Sequence, residues 1–160
     1  MGSMLYETDI HAWAMEQATA LRNAQRRDVS NIVDWENVAE EIESLGNEQV
    51  HALDSHLSNV LEHLLKLKYS SALDPRRHWI HELTVQRLQF ERRLEKNPGL
   101  KRQLSTLMIG AYRHARKLAT NSLRRDYSSV PKLPEECPFT LEQARDENWV
   151  PDPSALAGEG

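Results

Sequence analysis

The stretch "DWENVAEEIESLGNEQ" (34–49) decides the fold, because it contains a strong helical pattern and also the glycine that is able to end it. Apolar side chains recur at three- and four-residue steps from Trp35 to Leu45, which is the period of an amphipathic helix. Asp34 stands just before the pattern, where an aspartate is well suited to cap a helix N-terminus. The stretch therefore begins a helix, and the question is whether that helix continues past Gly46.

A second apolar pattern follows directly over residues 48–69. One continuous helix over 34–69 would be about 54 Å long, whereas a compact domain of this size has a radius of gyration of about 15 Å. Glycine also favours helix C-termini and costs roughly 1 kcal/mol inside a helix. We therefore predict a break or sharp kink at Gly46 and a separate helix over 48–69.

Helical periodicity also marks residues 9–25, residues 75–96 and the segment that begins at "NP" (97–98), whose asparagine is suited to cap the next helix. Residues 126–139 hold three prolines and are typical of an extended strap. "TLEQ" (140–143) has the form of a capping box, which predicts a short terminal helix. The sequence thus predicts an all-α bundle of about five helices with a Pro-rich C-terminal strap and a short terminal helix.

Length and composition favour one helical domain over residues 5–150, with residues 1–4 as a cloning remnant and residues 151–160 as a frayed tail. The one cysteine, Cys137, excludes an intrachain disulfide and a cysteine-based zinc site, and it suits a reducing compartment. No window approaches about 18 uncharged apolar residues, so we predict no membrane span. We expect a cytoplasmic protein without a cofactor.

The net charge of −4 hides a strong segregation of charge along the chain. Residues 1–75 hold 13 acidic and 5 basic side chains, residues 76–125 hold 3 and 13, and residues 126–160 hold 8 and 2. We expect the acidic head and tail to neutralise the basic middle by packing over it. The alternative is a basic face over 76–125 that binds nucleic acid or an acidic partner. The acidic total disfavours nucleic acid, because domains that bind it are usually basic overall.

Three glutamates of the opening stretch, Glu36, Glu40 and Glu43, form a row beside the apolar stripe of their helix, while Glu41 points to the other side. Like charges at this spacing repel each other, so the row needs a cation. Arg87 falls on the apolar stripe of the fourth predicted helix, and a buried arginine is rare unless it is paired. We predict that Arg87 reaches Glu40 or Glu43, either as an internal ion pair or in a small polar pocket that binds a ligand.

His63 lies at the edge of an apolar stripe, where a histidine more often forms a structural hydrogen bond than binds a ligand. If the polar cluster is a ligand site, His63 is its fourth member. The candidate binding residues are then Glu40, Glu43, His63 and Arg87.

A metal site is a weaker alternative. In "HWIHE" (78–82), the side chains of His78, His81 and Glu82 have the three- and four-residue spacing that can converge on a metal ion. One such motif beside two arginines provides too few ligands by itself. We therefore expect no metal, and we keep these three residues as the alternative.

Several motifs together resemble the bacterial domain-of-unknown-function family number twenty-nine. The resemblance is carried by "LYETDIHAWAMEQATALR", "DWENVAEEIESLG", "HLLKLKY", "NPGL" and "FTLEQA", and it spans about residues 5–150. It implies a small all-helical cytoplasmic protein and no particular activity. The positions that match the family pattern are Trp35, Glu40, Glu41, Glu43, His63, Lys66 and Arg87.

These observations favour a non-enzymatic helical module that binds or adapts an unknown protein partner, with a homodimer as one option. The first alternative is a small-ligand binder or enzyme that uses the Glu40, Glu43, His63 and Arg87 pocket. The second alternative is nucleic-acid binding by the basic face over 76–125. The surroundings of Arg87 distinguish the first two hypotheses, and a continuous exposed basic surface would favour the third.

Overall fold

The computed structural model describes residues 4–27, 33–126 and 131–154, and it contains no β-strand within those ranges. The predicted all-α fold is confirmed. Six α-helices and one 3-10 helix make up the described chain. They are α1 (Met4–Thr8), α2 (Ile10–Gln25), α3 (Trp35–Tyr69), α4 (Arg76–Glu95), the 3-10 helix (Pro98–Gln103), α5 (Leu104–Asp126) and α6 (Leu141–Arg145).

The helices belong to two compact units. The first unit comprises Met1–Leu53 and Arg92–Arg102, and the second comprises Asp54–Glu91 and Gln103–Gly160. Helix α3 contributes its first half to one unit and its second half to the other. The single domain over 5–150 stays a prediction.

Helix α3 is continuous through Gly46, so the predicted break is wrong. The expectation assumed one core whose size limits helix length, but α3 is shared by two units and is not limited in that way. Gly46 is needed for packing instead. A Cβ atom at this position would lie 2.6 Å from the Cε of Met15 and 3.0 Å from the Cβ of Ala14, both in α2. The Met15 methyl group ends a flexible side chain and can move aside, so the contact with Ala14 is the tighter constraint. The missing side chain of Gly46 thus favours the close approach of α2 and α3.

Asp9 and Asn97 bind the elements of the first unit through side-chain caps. The carboxylate of Asp9 accepts hydrogen bonds from Ala12 N (2.8 Å) and Gly99 N (2.7 Å). The amide oxygen of Asn97 accepts from His11 N at 2.9 Å, and Asn97 is fully buried. The prediction that Asn97 caps the following helix is wrong, because its side chain caps α2, and a 3-10 helix precedes α5.

The second unit has a leucine-rich core. Leu64, Leu65 and Leu67 of α3 are all fully buried, which means that this end of the helix is covered on several sides. Small residues of α5, including Ala111 and Ala115, allow close packing along its buried face. Some apolar residues at the edges of helical stripes are partly exposed, namely Val38, Leu45, Ile80 and Leu118.

The strap that follows α5 is described from residue 131 onward and contains no helix or strand before α6. Leu133 and Phe139 bury their side chains from it. The capping box of α6 is confirmed, since Thr140 Oγ1 accepts from Gln143 N, and Gln143 Oε1 accepts from Thr140 N.

The two predicted chain ends are described only in part. Of the predicted remnant 1–4, only Met4 is described, and it begins α1. Of the predicted tail 151–160, residues 155–160 lie outside the described residues. None of the described helices is long and apolar enough to cross a membrane.

Two glycines in helix interiors provide a matched test of this packing. Gly46→Ala should lower the free energy of unfolding by about 1–3 kcal/mol, because overpacking against α2 outweighs the better helix propensity of alanine. Gly110→Ala in α5 should raise it by about 0.5–1 kcal/mol, because no atom lies within 4 Å of its added Cβ. Urea unfolding measures both changes. A stabilising Gly46→Ala substitution would contradict the close approach of α2 and α3.

Candidate functional site

The glutamate row of α3 is paired with Arg22 of α2. Arg22 Nη2 donates to Glu43 Oε2 at 2.7 Å, and Arg22 Nε lies 3.5 Å from Glu36 Oε1. Hydrogen bonding to Glu43 is the main cause that raises the pKa of Arg22. Glu40 and Glu41 are exposed and take part in no ion pair within the described ranges. All three paired side chains are at least one-third exposed, so these contacts contribute little to stability.

Arg87 is buried, as predicted, but its partners are backbone carbonyls. Its Nε donates to Ala144 O at 2.8 Å, its Nη2 to Gln143 O at 2.8 Å, and its Nη1 to Trp149 O at 2.9 Å. We call this arrangement the Arg87 clasp. It satisfies carbonyls at the C-terminal end of α6, which have no partner within the helix. Burial lowers the pKa of Arg87, and the charges of Asp146 and Glu147 partly oppose that shift.

The predicted ion pair between Arg87 and Glu40 or Glu43 is therefore wrong. The guanidinium donates to residues 143–149, and Glu43 binds Arg22 instead. The helical wheel correctly placed Arg87 on a buried stripe, but a wheel carries no information about which distant segment covers that stripe. The available signal for the partner of Arg87 was the capping box that predicts α6. A short helix leaves carbonyls without partners at its C-terminal end, and these carbonyls need hydrogen-bond donors.

Two further contacts fasten the terminal segment. Arg145 forms a bidentate pair with Glu91, with Nε and Nη2 at 2.7 and 2.9 Å from the two carboxylate oxygens. This pair raises the pKa of Arg145. The rings of Phe139 and Trp149 meet edge to face with centroids 6.0 Å apart. The clasp and these contacts together fix the chain that follows the strap.

A buried ion pair is present, but between Lys66 and Glu62. Lys66 Nζ donates to Glu62 Oε1 at 3.0 Å, and Lys66 lies over the ring of Trp79 at 5.4 Å from its centroid. Nearby, His63 Nδ1 is 2.7 Å from Asn59 O, so this nitrogen carries the proton and donates it. His63 therefore acts as a structural hydrogen-bond donor within α3.

Burial is the largest cause that lowers the pKa of His63. The charge of Lys66 lowers it further, whereas the hydrogen bond to Asn59 and the charges of Glu62 and Glu82 raise it. The neutral imidazole is the form that fits this environment.

The metal alternative has no support in the geometry. Within the described ranges, no three His, Cys, Asp or Glu side chains are grouped so that they could hold a metal ion. His78 and His81 are both exposed on α4, with Glu82 beside them.

A concave feature of the second unit is lined mainly by basic residues, four of which belong to the basic segment 76–125. A cleft of about 740 Å³ lies between α5 and the strap. Its basic residues are Arg113, Arg116, Lys117 and Arg124 from α5 and Lys132 from the strap. Glu135 is the only acidic side chain among the described lining residues. We call this feature the basic cleft.

Tyr112 fastens the strap against α5 at this cleft. Its hydroxyl donates to Pro134 O at 2.6 Å, and the residue is almost fully buried. Burial is the main cause that raises the pKa of Tyr112 to about 12, so the hydroxyl keeps its proton at physiological pH. The side of the cleft formed by the strap is thus held by a permanent hydrogen bond.

The basic middle of the chain is not neutralised in the way that the charge pattern led us to expect. Within the described ranges, no Lys or Arg of residues 76–125 forms an ion pair. Arg76 instead donates to Leu67 O and Arg93 to Gln49 Oε1. The cleft cations consequently have no acidic side chain as a partner in the described part of the chain.

The sequence matches the family described as domain of unknown function DUF29 over residues 5–150. The chain belongs to the DUF29 family. None of the curated proteins matches it. The crystal structure of an alpha-helical protein of unknown function (rru_a3208) from Rhodospirillum rubrum is similar, with a TM-score of 0.71, 23% sequence identity and coverage of 90% of each chain. At that identity the likeness shows the all-α fold alone.

The four-residue site predicted for this DUF29 protein stays a prediction. Glu40 and Glu43 belong to the first unit, and His63 and Arg87 to the second. In each unit the described contacts of these residues are structural, apart from Glu40, which is exposed. Sequence reasoning predicted a basic face over 76–125, which contains the four α5 cations of the cleft, but it did not predict that the strap lies beside them and adds Lys132.

The clasp makes the stability of the DUF29 protein sensitive to substitution of Arg87. Arg87→Met should lower the free energy of unfolding by about 3–5 kcal/mol, because it leaves buried carbonyls at 143–149 unpaired at about 1–3 kcal/mol each. Arg87→Lys should lie between this variant and the wild type, since an ammonium cannot span the same three acceptors. Urea unfolding and trypsin cleavage after Arg145 measure the loss.

Glu41→Ala is the control for this prediction. Glu41 is exposed on α3, so its substitution should change the free energy of unfolding by no more than about 0.5 kcal/mol. An Arg87→Met variant as stable as the control would contradict the clasp.

His63 should make stability depend on pH. The unfolded histidine titrates at a pKa of about 6.5, and burial lowers the folded pKa, so the unfolded chain binds the proton first as the pH falls. Stability should therefore be full above about pH 7 and decline as the pH falls through 6.5, by at most about 1.4 kcal/mol per pH unit. His63→Gln should lose less stability over the same range in urea unfolding.

His114→Gln is the matched control, because the His114 side chain is 66% exposed. It should keep the pH dependence of the wild type. Equal pH dependence in the wild type and in His63→Gln would rule out the buried imidazole as its source.

Proposed function

We propose that this DUF29 protein is a non-enzymatic binding module whose basic cleft holds an acidic segment of a partner protein. The observation that carries the proposal is the absence of ion pairs for the five cleft cations within the described ranges. Cations gathered in a concave site, without carboxylates to neutralise them, attract an anionic partner and raise its rate of association.

The size and shape of the cleft suit a polypeptide segment. Its volume of about 740 Å³ lies within the range of ligand sites, and α5 and the strap form its two sides. Along the cleft, Arg116 and Lys117 lie one turn of α5 after Arg113, and Arg124 lies two turns after Lys117. Acidic side chains of one extended segment could therefore contact cations at both ends of this stretch of α5.

Nucleic acid is the less favoured partner. Single strands are held by stacking of bases on exposed aromatic rings, together with a basic groove. Tyr112 is the only aromatic side chain among the described lining residues; it is buried and its hydroxyl is bound to Pro134. The net charge of −4 also opposes an extended polyanion outside the cleft.

We propose a cytoplasmic location because the single cysteine, Cys137, suits a reducing compartment.

The acidic partner is a different protein or a second copy of this chain, whose first 75 residues carry 13 acidic side chains. Sedimentation equilibrium distinguishes these two sources. The small-ligand or enzymatic alternative at Glu40, Glu43, His63 and Arg87 has no comparable feature in its favour.

A labelled acidic peptide tests the proposal. Fluorescence anisotropy with a peptide of about twelve residues, rich in Glu and Asp, should show saturable binding that weakens steeply with added salt, because exposed charges are screened beyond about 8 Å at 0.15 M salt. Arg113→Glu combined with Arg124→Glu should weaken binding by at least about tenfold. Arg77→Glu combined with Arg92→Glu is the matched control, because both arginines are exposed on α4 and lie outside the cleft.

Three results would count against the proposal. Equal losses in both double variants would mean that only total charge matters. Tighter binding of a labelled single- or double-stranded oligonucleotide would favour the nucleic-acid alternative. No binding of either probe at low salt would remove the cleft as a binding site.

A further inference from the structure

A second, smaller hollow lies between α3 and α5 in the second unit. Its volume is about 320 Å³. Asp54, Ser58 and Asn59 line it from α3, and His114 and Lys117 line it from α5. Neither the family description nor the basic cleft accounts for this hollow, although Lys117 belongs to the lining of both.

Ser58 is the feature that marks the hollow as a site. The residue is only 4% exposed, and its Oγ is buried without a hydrogen-bond partner among the described residues. A serine in a helix usually bonds to the carbonyl one turn earlier, and an unpaired buried hydroxyl costs stability. A buried polar group without a partner needs an explanation in a folded protein, and a bound ligand is one such explanation.

Charged side chains of both signs line the same hollow as Ser58. Asp54 lies one helical turn before Ser58, roughly 6 Å along the axis, so both side chains are on the same side of α3. Asp54 Oδ2 is 3.8 Å from His114 Nδ1, which is too long for a hydrogen bond and leaves the carboxylate able to accept others. Lys117 forms no ion pair within the described ranges.

We propose that the hollow binds a small zwitterion, namely a free α-amino acid or a molecule with the same head group. The ligand carboxylate accepts hydrogen bonds from the Ser58 hydroxyl and the Lys117 ammonium group. The ligand ammonium group donates to the Asp54 carboxylate. The Asp54 carboxylate would repel a simple anion, and the Lys117 ammonium group would repel a simple cation. A ligand that carries both charges matches the site.

Size and shape favour an amino acid over a larger zwitterion. A hollow of about 320 Å³ is at the lower end of the range for small-molecule sites. Leu118 adds an apolar side chain to the lining, against which an aliphatic ligand side chain can pack. Variants of Ser58 and Asp54 separate this proposal from the basic cleft, because neither residue lines that cleft, whereas Lys117 lines both.

The test uses amide NMR spectra of the full chain during titration with pools of natural amino acids. At least one amino acid should bind with a Kd tighter than about 1 mM. Its N-acetyl derivative, which lacks the ammonium group, and its methyl ester, which lacks the carboxylate, should each bind at least about tenfold more weakly. Ser58→Ala and Asp54→Asn should each weaken binding of the parent amino acid by a similar factor.

Ser58→Ala also has a stability readout that separates the site from a structural role. Because the hydroxyl has no partner to lose, the melting temperature of the ligand-free variant should stay within about 2 °C of the wild type or rise. Ser44→Ala, an exposed serine of the same helix, is the matched control for both readouts.

The other outcomes overturn the proposal. No binding by any amino acid at about 10 mM would mean that the hollow holds only water. Binding that survives Ser58→Ala and Asp54→Asn, or that the acetylated and esterified derivatives retain, would place the ligand elsewhere. A Ser58→Ala variant that unfolds or loses several degrees of melting temperature would show that the hydroxyl is structural. Binding lost in Arg113→Glu combined with Arg124→Glu, but kept in Ser58→Ala, would assign the ligand to the basic cleft.

Discussion

The guanidinium of Arg87 is buried in the second unit and donates hydrogen bonds to three carbonyls of residues 143–149. A buried charge is tolerated only when its donors are satisfied, and the carbonyls at the end of a short helix likewise need donors. The hydrogen bonds of the clasp satisfy both the guanidinium donors and the carbonyl acceptors. The clasp thereby anchors the chain beyond the strap, and the strap in turn forms one side of the basic cleft through the bond between Tyr112 and Pro134.

Among the described residues, several basic side chains of the 76–125 segment donate to backbone or amide oxygens and not to carboxylates. Arg76, Arg87 and Arg93 all donate to carbonyl or amide oxygens, although the chain holds more acidic than basic side chains. The carboxylates that do form pairs have partners from outside the basic middle, such as Glu43 with Arg22 and Glu91 with Arg145. This distribution leaves the cations of α5 without an ion-pair partner among the described residues, and that surplus of positive charge is the basis of the proposed binding function.

Gly46 has a different role from the one that glycine usually suggests in a helix. Its missing side chain allows close contact between α2 and α3, and the helix continues because glycine costs only about 1 kcal/mol there. Packing of neighbouring helices readily offsets a penalty of that size, since hydrophobic burial supplies roughly 25 cal/mol per Å². Local propensity therefore gave the wrong answer at this position because a tertiary contact outweighed it.

The sequence by itself determined the helical class, the capping box of α6 and the burial of Arg87, because periodicity and capping depend only on neighbours within a few residues. It could not determine what covers Arg87, which helix Asn97 caps, or that Gly46 faces Ala14, because those partners are 32 to 86 residues away along the chain. The basic cleft and the unpaired hydroxyl of Ser58 likewise arise only when α5 is brought beside the strap and α3. Charge and polarity are properties of the residues themselves. Concavity and the absence of a hydrogen-bond partner are properties of the fold, and both candidate sites depend on these properties of the fold.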